Sequence, residues 1–313
     1  MIVDVHAHCF PTEYLDLIER HGSRGAANAR NRQAGNTKED LEARFGMMDR
    51  AGIELQVLSC SPQAPYFEEK AHAREAATLI NDLYAELVSV HPRRFKAFAA
   101  LPLPHVDASL EELQRGLDQL GMVGVTILTT VLDRSLADEA FEPLVAELDR
   151  RGTTVFLHPA GASLGKQVTA FGLQWVIGAP FEDTYAAMHL ILSGLTSRYP
   201  NIRFIVPHLG GTLPFLASRI DMRAGGDGPA LAASPLALAR RLWYDTVSWG
   251  NVPALRCACD VLGPDRIVLG TDYPFLSGEI FQQAADYIRQ SGLPGEMIDA
   301  ILSRNVEGLV RAR

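Results

Sequence analysis

The sequence of 313 residues has few cysteines, no excess of positive charge and no long apolar run. Its four cysteines are too few for a disulfide framework and are expected to be free thiols in a reducing compartment. The formal net charge of -8 argues against a nucleic acid as partner, because binding to a polyanion requires a basic surface. With no run of about 18 apolar residues and no signal-peptide pattern, the sequence predicts a cytoplasmic protein without a membrane partner.

Short runs rich in Val, Ile, Leu and Phe alternate along the chain with longer amphipathic segments. Eight runs are expected to be strands: 2–8, 53–60, 95–102, 123–128, 153–158, 202–208, 242–247 and 266–272. The segments between them have helical periodicity, and many end at Gly or Pro. This α/β alternation predicts a single (β/α)8 TIM barrel over residues 1–313, with an open doubly wound sheet as the alternative.

Three polar or glycine-rich stretches interrupt the alternation and are expected to be loop insertions. They cover about residues 14–38, 160–180 and 222–240. Loops that follow strands lie on the catalytic face of such a barrel. The first stretch follows strand one directly, so it is expected to cover a substrate.

Titratable side chains stand at the carboxyl ends of several predicted strands. Successive side chains of a strand point to opposite faces, so Asp4, His6 and His8 are expected to share the face toward the barrel interior. Burying two imidazoles without a partner is costly, which favours a metal or a carboxylate beside them. Three other strands end in groups of the same kind: His158, His208 and Asp272.

These strand-end groups together predict a site for a divalent metal. A single histidine at a strand end is more often a satisfied core residue than a ligand. Such groups at the ends of four separate strands, at one depth of a barrel, favour a metal site instead, because it is improbable that all of them stand there by chance. Imidazoles and a carboxylate suit zinc, with water at an open coordination position, and manganese is the alternative.

Four motifs carry a resemblance to a known superfamily: DVHAHCFP, HPAG, PHLGGTLPFLASRID and LGTDYPF. They resemble the amidohydrolase superfamily, and within it the branch of 2-amino-3-carboxymuconate-6-semialdehyde decarboxylase and related decarboxylases. The resemblance implies that four matching residues bind one divalent metal: His6, His8, His158 and Asp272. It also implies that His208 acts in catalysis beside the metal-bound water. Binuclear members carry a lysine on the fourth strand, which here reads VGVTILTT, so a single metal is expected.

The resemblance extends to arginines that hold a substrate carboxylate. Arg219 matches an arginine that reaches into the neighbouring subunit's active site, which implies a homodimer; an exposed helix residue is the alternative. A second arginine of the resembled enzymes follows strand one, where the candidates here are Arg30 and Arg32. Arg44 is expected to be a surface or helix-packing residue.

Aromatic and acidic residues near the strand ends complete the predicted site. Trp175 falls where the resembled enzymes have a tryptophan near the substrate, and a core position is the alternative. Phe275 is expected to pack at the mouth of the pocket. Asp245, at the end of strand seven, is expected to support a metal ligand rather than to bind the metal.

The predicted function is the metal-dependent, non-oxidative decarboxylation of a small unsaturated or aromatic carboxylic acid. The metal accepts electrons through a substrate oxygen, and Asp272 or metal-bound water supplies the proton with His208 nearby. A metal-dependent hydrolase or hydratase of a related acid would use the same groups. The hydroxybenzoate decarboxylases of the branch carry Glu in place of His6, so His6 favours the semialdehyde type or a hydrolase. An inactive barrel that serves as a scaffold is the alternative from another class.

Overall fold

The computed structural model describes residues 1–23, 25–161, 170–223 and 229–311. Strands and helices alternate along these residues, as the hydrophobic pattern predicts. The strands are β1 (Val3–His8), β2 (Leu55–Ser59), β3 (Phe95–Ala97), β4 (Ala99–Ala100), β5 (Val125–Leu128), β6 (Thr154–His158), β7 (Arg203–Val206), β8 (Trp243–Asp245) and β9 (Ile267–Val268). Each lies within a predicted run, so all eight strand predictions are confirmed, with the third strand divided into β3 and β4.

The helices of the described residues cover the outside of the strands. They are α1 (Thr12–Arg20), α2 (Ala26–Ala29), α3 (Lys38–Ala51), α4 (Lys70–Val90), α5 (Val106–Asp118), α6 (Glu142–Arg150), α7 (Ala179–Leu192), α8 (Leu195–Arg198), α9 (Leu213–Arg223), α10 (Pro235–Ala239), α11 (Val252–Leu262), α12 (Gly278–Arg289) and α13 (Gly295–Asp299). Helix α3 shows why they begin and end where they do. The Thr37 side chain accepts a hydrogen bond from Asp40 N at its start, and Gly52 ends it with φ 70°. Within the described part of the chain, no helix has both the length and the apolar character needed to cross a membrane.

The strands are parallel and form a closed (β/α)8 barrel. Strand order follows the chain, from β1 to β3 in one ladder and from β4 to β9 in the other. Phe98 joins the two ladders, because its N–H donates to Leu58 O at 3.0 Å. The last strand closes on the first: Val5 N donates to Leu269 O at 3.0 Å. The closed barrel brings residues from both ends of the chain to one rim.

An extra residue in β1 changes the direction of its side chains. Asp4 pairs with Gln56 and Ala7 with Leu58, so three steps along β1 match two along β2. This β-bulge makes the prediction for Asp4 wrong: its carboxylate accepts from Gln56 Nε2 at 2.7 Å, and Gln56 in turn contacts Arg44 of α3. Asp4 therefore lies toward the helices, while His6 contacts Phe156 in the interior. Bulges beside functional sites commonly redirect a side chain in this way.

The predicted loop insertions are largely helical where the structure describes them. The first contains most of α1, whose apolar residues are buried against the core, and also the short α2. In the second, residues 162–169 lie outside the described residues, and a π-helical turn, Gln174–Gly178, leads into α7. In the third, residues 224–228 lie outside the described residues, and α10 follows. Most of α1 was predicted as part of a loop because the exposed face of this helix is charged.

Candidate metal centre

Four side chains from two strand ends, those of β1 and β6, and from the segment after β9 converge at the carboxyl rim of the barrel. One ligand atom from each lies within 4.8 Å of every other: His6, His8, His158 and Asp272. The Oδ1 atom of Asp272 is 3.1 Å from His6 Nε2 and 3.2 Å from His8 Nε2. All three imidazole rings are buried. The structure therefore brings together the four residues that the sequence predicts as metal ligands.

Unsatisfied ring nitrogens test whether these residues fit a metal ion. His158 Nε2 is buried and has no hydrogen-bond partner among the described residues. His6 Nε2 is close to Asp272 but lacks the geometry of a hydrogen bond. Leaving buried nitrogens unpaired costs free energy, which a cation at their meeting point would recover. Three imidazoles and one carboxylate thus form a site that fits one divalent metal.

Each ring is held through its other nitrogen. His6 Nδ1 donates to Asp245 Oδ2 at 2.7 Å, and His158 Nδ1 donates to the Pro159 carbonyl at 2.9 Å. His8 Nδ1 forms a hydrogen bond of 2.8 Å with the Ser59 hydroxyl. Such contacts fix the tautomer and direct Nε2 toward the centre. The predicted supporting role of Asp245 agrees with its contact to His6.

Charges in the centre set the protonation of its groups. Burial lowers the pKa of His6, but the carboxylates of Asp245 and Asp272 outweigh it and raise that pKa to about 10. Burial lowers the pKa of His8 to about 4 and holds the pKa of His158 well below its usual value. Burial raises the pKa of Asp272, but His6 and His8 outweigh it and hold that pKa well below the usual range. An ionised carboxylate and neutral imidazoles are the forms that bind a cation, so an ion entering the centre would displace the proton that His6 holds near neutral pH.

His208 lies beside the four groups without joining them. Its Nδ1 is 2.7 Å from Asp183 Oδ2, and its backbone N–H donates to Asp245 Oδ1 at 2.9 Å. The centre of its ring is 5.5 Å from that of His6. Its φ of 53° is rare for a residue with a side chain, and the surrounding contacts hold it there. Burial lowers the pKa of His208, but Asp183 outweighs it and raises that pKa.

Three supporting residues were missed or misread from the sequence. Asp183 gave no signal, since it lies inside helix α7 and meets His208 only through the fold. Ser59 did give one, because it is a polar residue at the end of an apolar strand. Arg44 was predicted as a surface or helix-packing residue; it is fully buried, which excludes the surface position, and its Nη1 donates to the His8 carbonyl at 3.0 Å. Its guanidinium also lies 4.6 Å from the ring centre of Tyr273.

The predicted substrate-binding residues fall into two groups. Phe275 lies beside the centre, with its ring 5.5 Å from that of His8, and the Arg32 guanidinium lies 4.9 Å from the Phe275 ring centre. Arg30 instead forms ion pairs with two acidic residues of α1. Trp175 and Arg219 are exposed, so a core position for Trp175 is excluded. The arginine of the first loop that lies near the centre is therefore Arg32.

Comparison with known proteins agrees with this geometry. The family model described as amidohydrolase matches residues 3–311. The chain is 28% identical over 320 residues to 2-amino-3-carboxymuconate-6-semialdehyde decarboxylase of Dictyostelium discoideum, covering 96% of this chain and 85% of that one. It is 31% identical over 268 residues to gamma-resorcylate decarboxylase of Rhizobium radiobacter, covering 79% of each.

A solved structure has the same fold. It is a dihydroxybenzoic acid decarboxylase from Polaromonas with bound manganese and the inhibitor 2-nitroresorcinol, which is 24% identical. Its TM-score is 0.84, and the match covers 99% of this chain and 96% of that one. Two findings lead to one conclusion. The family model matches nearly the whole sequence, and the rim of the barrel carries the converging histidines and aspartate. The chain belongs to the amidohydrolase family.

Proposed function

We propose that this chain is a metal-dependent, non-oxidative decarboxylase of a small unsaturated or aromatic carboxylic acid. The observation that carries the proposal is the convergence of three imidazoles and one carboxylate, with His208 held beside them. The two relatives compared by sequence are decarboxylases by name, and the chain aligns with them over most of its length.

One divalent ion would be held by His6, His8, His158 and Asp272. When bound, it supplies a Lewis acid that draws electrons from a substrate oxygen conjugated to the departing carboxylate. We propose zinc, because three imidazoles and a carboxylate suit it, with manganese as the alternative. Manganese is the ion in the Polaromonas structure.

Loss of carbon dioxide leaves an electron pair on carbon, which must then receive a proton. His208 suits this step, because Asp183 raises its pKa and occupies its Nδ1, leaving Nε2 for the transfer. Asp272 is the second catalytic candidate. Its pKa is held well below the usual range, so Asp272 is ionised and could deliver a proton to carbon only after taking one up from the substrate or from water.

Phe275 and Arg32 are proposed to form one wall of the substrate pocket. Phe275 presents its ring beside His8, where a conjugated acid can pack against it. The exposed Arg32 guanidinium stacks on Phe275 and offers a planar pair of donors for a carboxylate. Trp175 is proposed as a second wall; it lies close to Gly161, three residues beyond His158.

A homodimer is proposed to complete the site through Arg219. Helices α7 and α9 expose large apolar side chains: Phe181, Tyr185, Phe215 and Met222. Arg219 is one turn from Phe215 on α9 and is exposed with it. Exposed apolar groups of this size mark a protein interface, and C2 dimers are the commonest closed assembly. Association through this face places Arg219 against the neighbouring subunit.

We also propose that the protein works in the cytoplasm. Its cysteines are free thiols, and three of them are buried: Cys9, Cys60 and Cys259. Thiols persist in reducing compartments, whereas extracellular proteins generally pair them.

The test is the release of carbon dioxide. Metal-loaded protein is given 2-amino-3-carboxymuconate-6-semialdehyde and 2,6-dihydroxybenzoate, and carbon dioxide and the remaining acid are measured together. We expect carbon dioxide in equal amount to the acid consumed, and none from Asp272→Asn. Arg289→Gln, a change on the exposed face of α12, is the matched control and should keep full activity.

Other outcomes would decide against the proposal. Conversion of related esters, amides or unsaturated acids without carbon dioxide would identify a hydrolase or hydratase. A protein that holds less than about half an equivalent of divalent ion and converts no acid would favour the inactive scaffold.

A further inference from the structure

Behind the metal centre, one buried carboxylate contacts both of the chain segments that meet where the barrel closes. Asp4 stands two residues before the ligand His6 and is fully buried toward the helices. Its side chain reaches Thr271, which immediately precedes the ligand Asp272. Asp4 is not one of the four converging residues, and the proposed decarboxylation gives it no role.

The Asp4 carboxylate accepts four hydrogen bonds. Its Oδ1 accepts from the backbone N–H of His6 and from that of Thr271, each at 3.0 Å. Its Oδ2 accepts from the Thr271 hydroxyl and from Gln56 Nε2, each at 2.7 Å. A buried acceptor with this many donors is held in one rotamer, because turning the side chain would leave donors unpaired. Asp4 therefore connects the peptide of one ligand to the residue before another.

The backbone that Asp4 holds at Thr271 leads into an unusual conformation at Asp272. The φ of Asp272 is 60°, in the left-handed region that residues with a side chain seldom adopt. Hydrogen bonds on both sides retain it: Thr271 N–H donates to Asp4, and Asp272 N–H donates to His6 O at 2.8 Å. The next residue, Tyr273, donates its N–H to the Thr271 hydroxyl at 3.2 Å. The carboxylate of Asp272 is thus directed to the metal centre by a backbone that Asp4 helps to hold.

Arg44 extends these contacts to a third ligand. Its Nε donates to Gln56 Oε1 at 2.7 Å, which fixes the Gln56 amide so that Nε2 faces Asp4. Its Nη1 donates to the carbonyl of His8. Arg44, Gln56, Asp4 and Thr271 are each at most 1% exposed, so water cannot replace these hydrogen bonds while the core stays closed. The buried network thus reaches the backbone beside three of the four metal ligands.

We propose that Asp4 is a positioning residue that sets the affinity of the metal centre by fixing His6 and Asp272 relative to each other. Ligands held in place beforehand bind an ion more tightly, because less conformational freedom is lost when the ion enters. Supporting contacts of this kind typically contribute about tenfold to hundredfold to metal affinity. The role of Asp4 rests on the metal set of the proposed function, and it places control of metal binding in a residue outside that set.

The experiment measures cobalt binding by the metal-free protein in competition with a chromophoric chelator. Cobalt(II) is the probe because its visible absorption also reports the geometry of its ligands. We expect Asp4→Asn to weaken binding about tenfold to hundredfold and to change that absorption, since the amide replaces one accepting oxygen by a donor. Thr271→Val, which removes the hydroxyl, should weaken binding about fivefold to tenfold. Thr271→Ser, which keeps the hydroxyl, should bind within about twofold of the original protein.

Asn81→Ala is the matched control for a general loss of stability. Asn81 is also fully buried and ties a helix to a strand, because its side chain exchanges two hydrogen bonds with the backbone of Ala100, at 2.9 and 2.8 Å. That strand, β4, carries none of the four metal ligands. This variant should unfold at a lower temperature and yet bind cobalt within about twofold of the original protein.

Unchanged affinity and absorption in Asp4→Asn would overturn the proposal, and so would an equal loss of affinity in Asn81→Ala. If Asp4→Asn does not fold, the two Thr271 variants decide, since equal affinities of Thr271→Val and Thr271→Ser would overturn the proposal instead. An original protein that takes up no cobalt would overturn the decarboxylase proposal as well. Full binding by both the original protein and Asp4→Asn would leave that proposal intact.

Discussion

Asp183 determines the state of His208 through a single hydrogen bond. The Asp183 carboxylate accepts a hydrogen bond from His208 Nδ1–H. Because the carboxylate is buried, its own pKa is raised to about 6. Its second oxygen, Oδ1, has no partner among the described residues. The pair is thus positioned by the fold, and His208 is the member that faces the centre.

Asp183→Asn should move the pH dependence of turnover. The amide keeps the shape but removes the charge that raises the pKa of His208, so that pKa falls. When the pH is raised, His208 in this variant therefore loses its proton at a lower pH than in the original protein. We expect kcat to fall about tenfold to hundredfold near pH 7 and its alkaline limb to shift to lower pH. A pH profile identical to that of the original protein would remove Asp183 from the mechanism.

Single substitutions should separate ligand from catalyst. His158→Gln removes a nitrogen of the converging set, so the purified protein should hold less than about half an equivalent of metal. His208→Gln should hold a full equivalent and lose most of its activity, because His208 stands outside that set. Elemental analysis beside the carbon dioxide assay distinguishes them. Loss of metal from His208→Gln would mean that the two roles are assigned wrongly.

At the scale of elements, strands were easier to predict than the side chains that support the site. Runs such as β2 and β6 are buried on both faces and therefore apolar throughout, which a sequence displays directly. The bulge in β1 is set by pairing with β2 and by the closing segment after β9, so no local pattern reveals it. Asp4 was accordingly placed on the wrong face, while His6 and His8 were placed correctly.

Helices α1 and α3 show a second limit. The charged face of α1 made it resemble a loop, although Leu15 and Ile18 pack into the core. For Arg44 the sequence left a surface position and a helix-packing position open, since arginine is rarely buried. Its burial becomes intelligible only when the His8 carbonyl and Gln56 are beside it, because these acceptors come from distant strands.

Arg44→Met should weaken the attachment of α3 to the end of β1. It deletes the hydrogen bonds to the His8 carbonyl and Gln56 Oε1 and leaves both acceptors buried. We expect the free energy of unfolding to fall by about 2–4 kcal/mol. Urea unfolding measures it, with Arg289→Met as the exposed control, expected within about 0.5 kcal/mol of the original. Equal stability of the two variants would show that Arg44 contributes nothing there.

For the whole molecule, subunit exchange tests the dimer. Arg219→Ala should require more substrate, and Asp272→Asn should be inactive. If subunits share sites, mixing equal amounts at low substrate concentration should restore about a quarter of the original activity, since half the dimers then contain one intact site. Without sharing, the mixture should give only half the activity of Arg219→Ala alone. Arg289→Ala mixed with Asp272→Asn should give half the original activity in either case and controls for the mixing. A sedimentation profile of monomers alone, or no recovery, would contradict the shared site.

Metal removal should lower the stability of the entire barrel. An ion that binds only the folded state adds about 3–4 kcal/mol when free metal exceeds Kd by a hundredfold to a thousandfold. Dialysis against a chelator should therefore lower Tm by roughly 5–15 °C, and one equivalent of zinc should restore it. Differential scanning calorimetry provides the measurement. A Tm that does not respond would mean that the converging groups hold no ion.

The pairing of the first strand with the last segment also bears on how the protein is made. His8 and Asp272 are 264 residues apart, yet they touch, and the first and last strands exchange backbone hydrogen bonds. During synthesis, the two N-terminal histidines leave the ribosome long before the aspartate that completes their set. The set of four ligands is complete only when almost all of the chain has been translated, so a product terminated before Asp272 would lack the carboxylate of the centre.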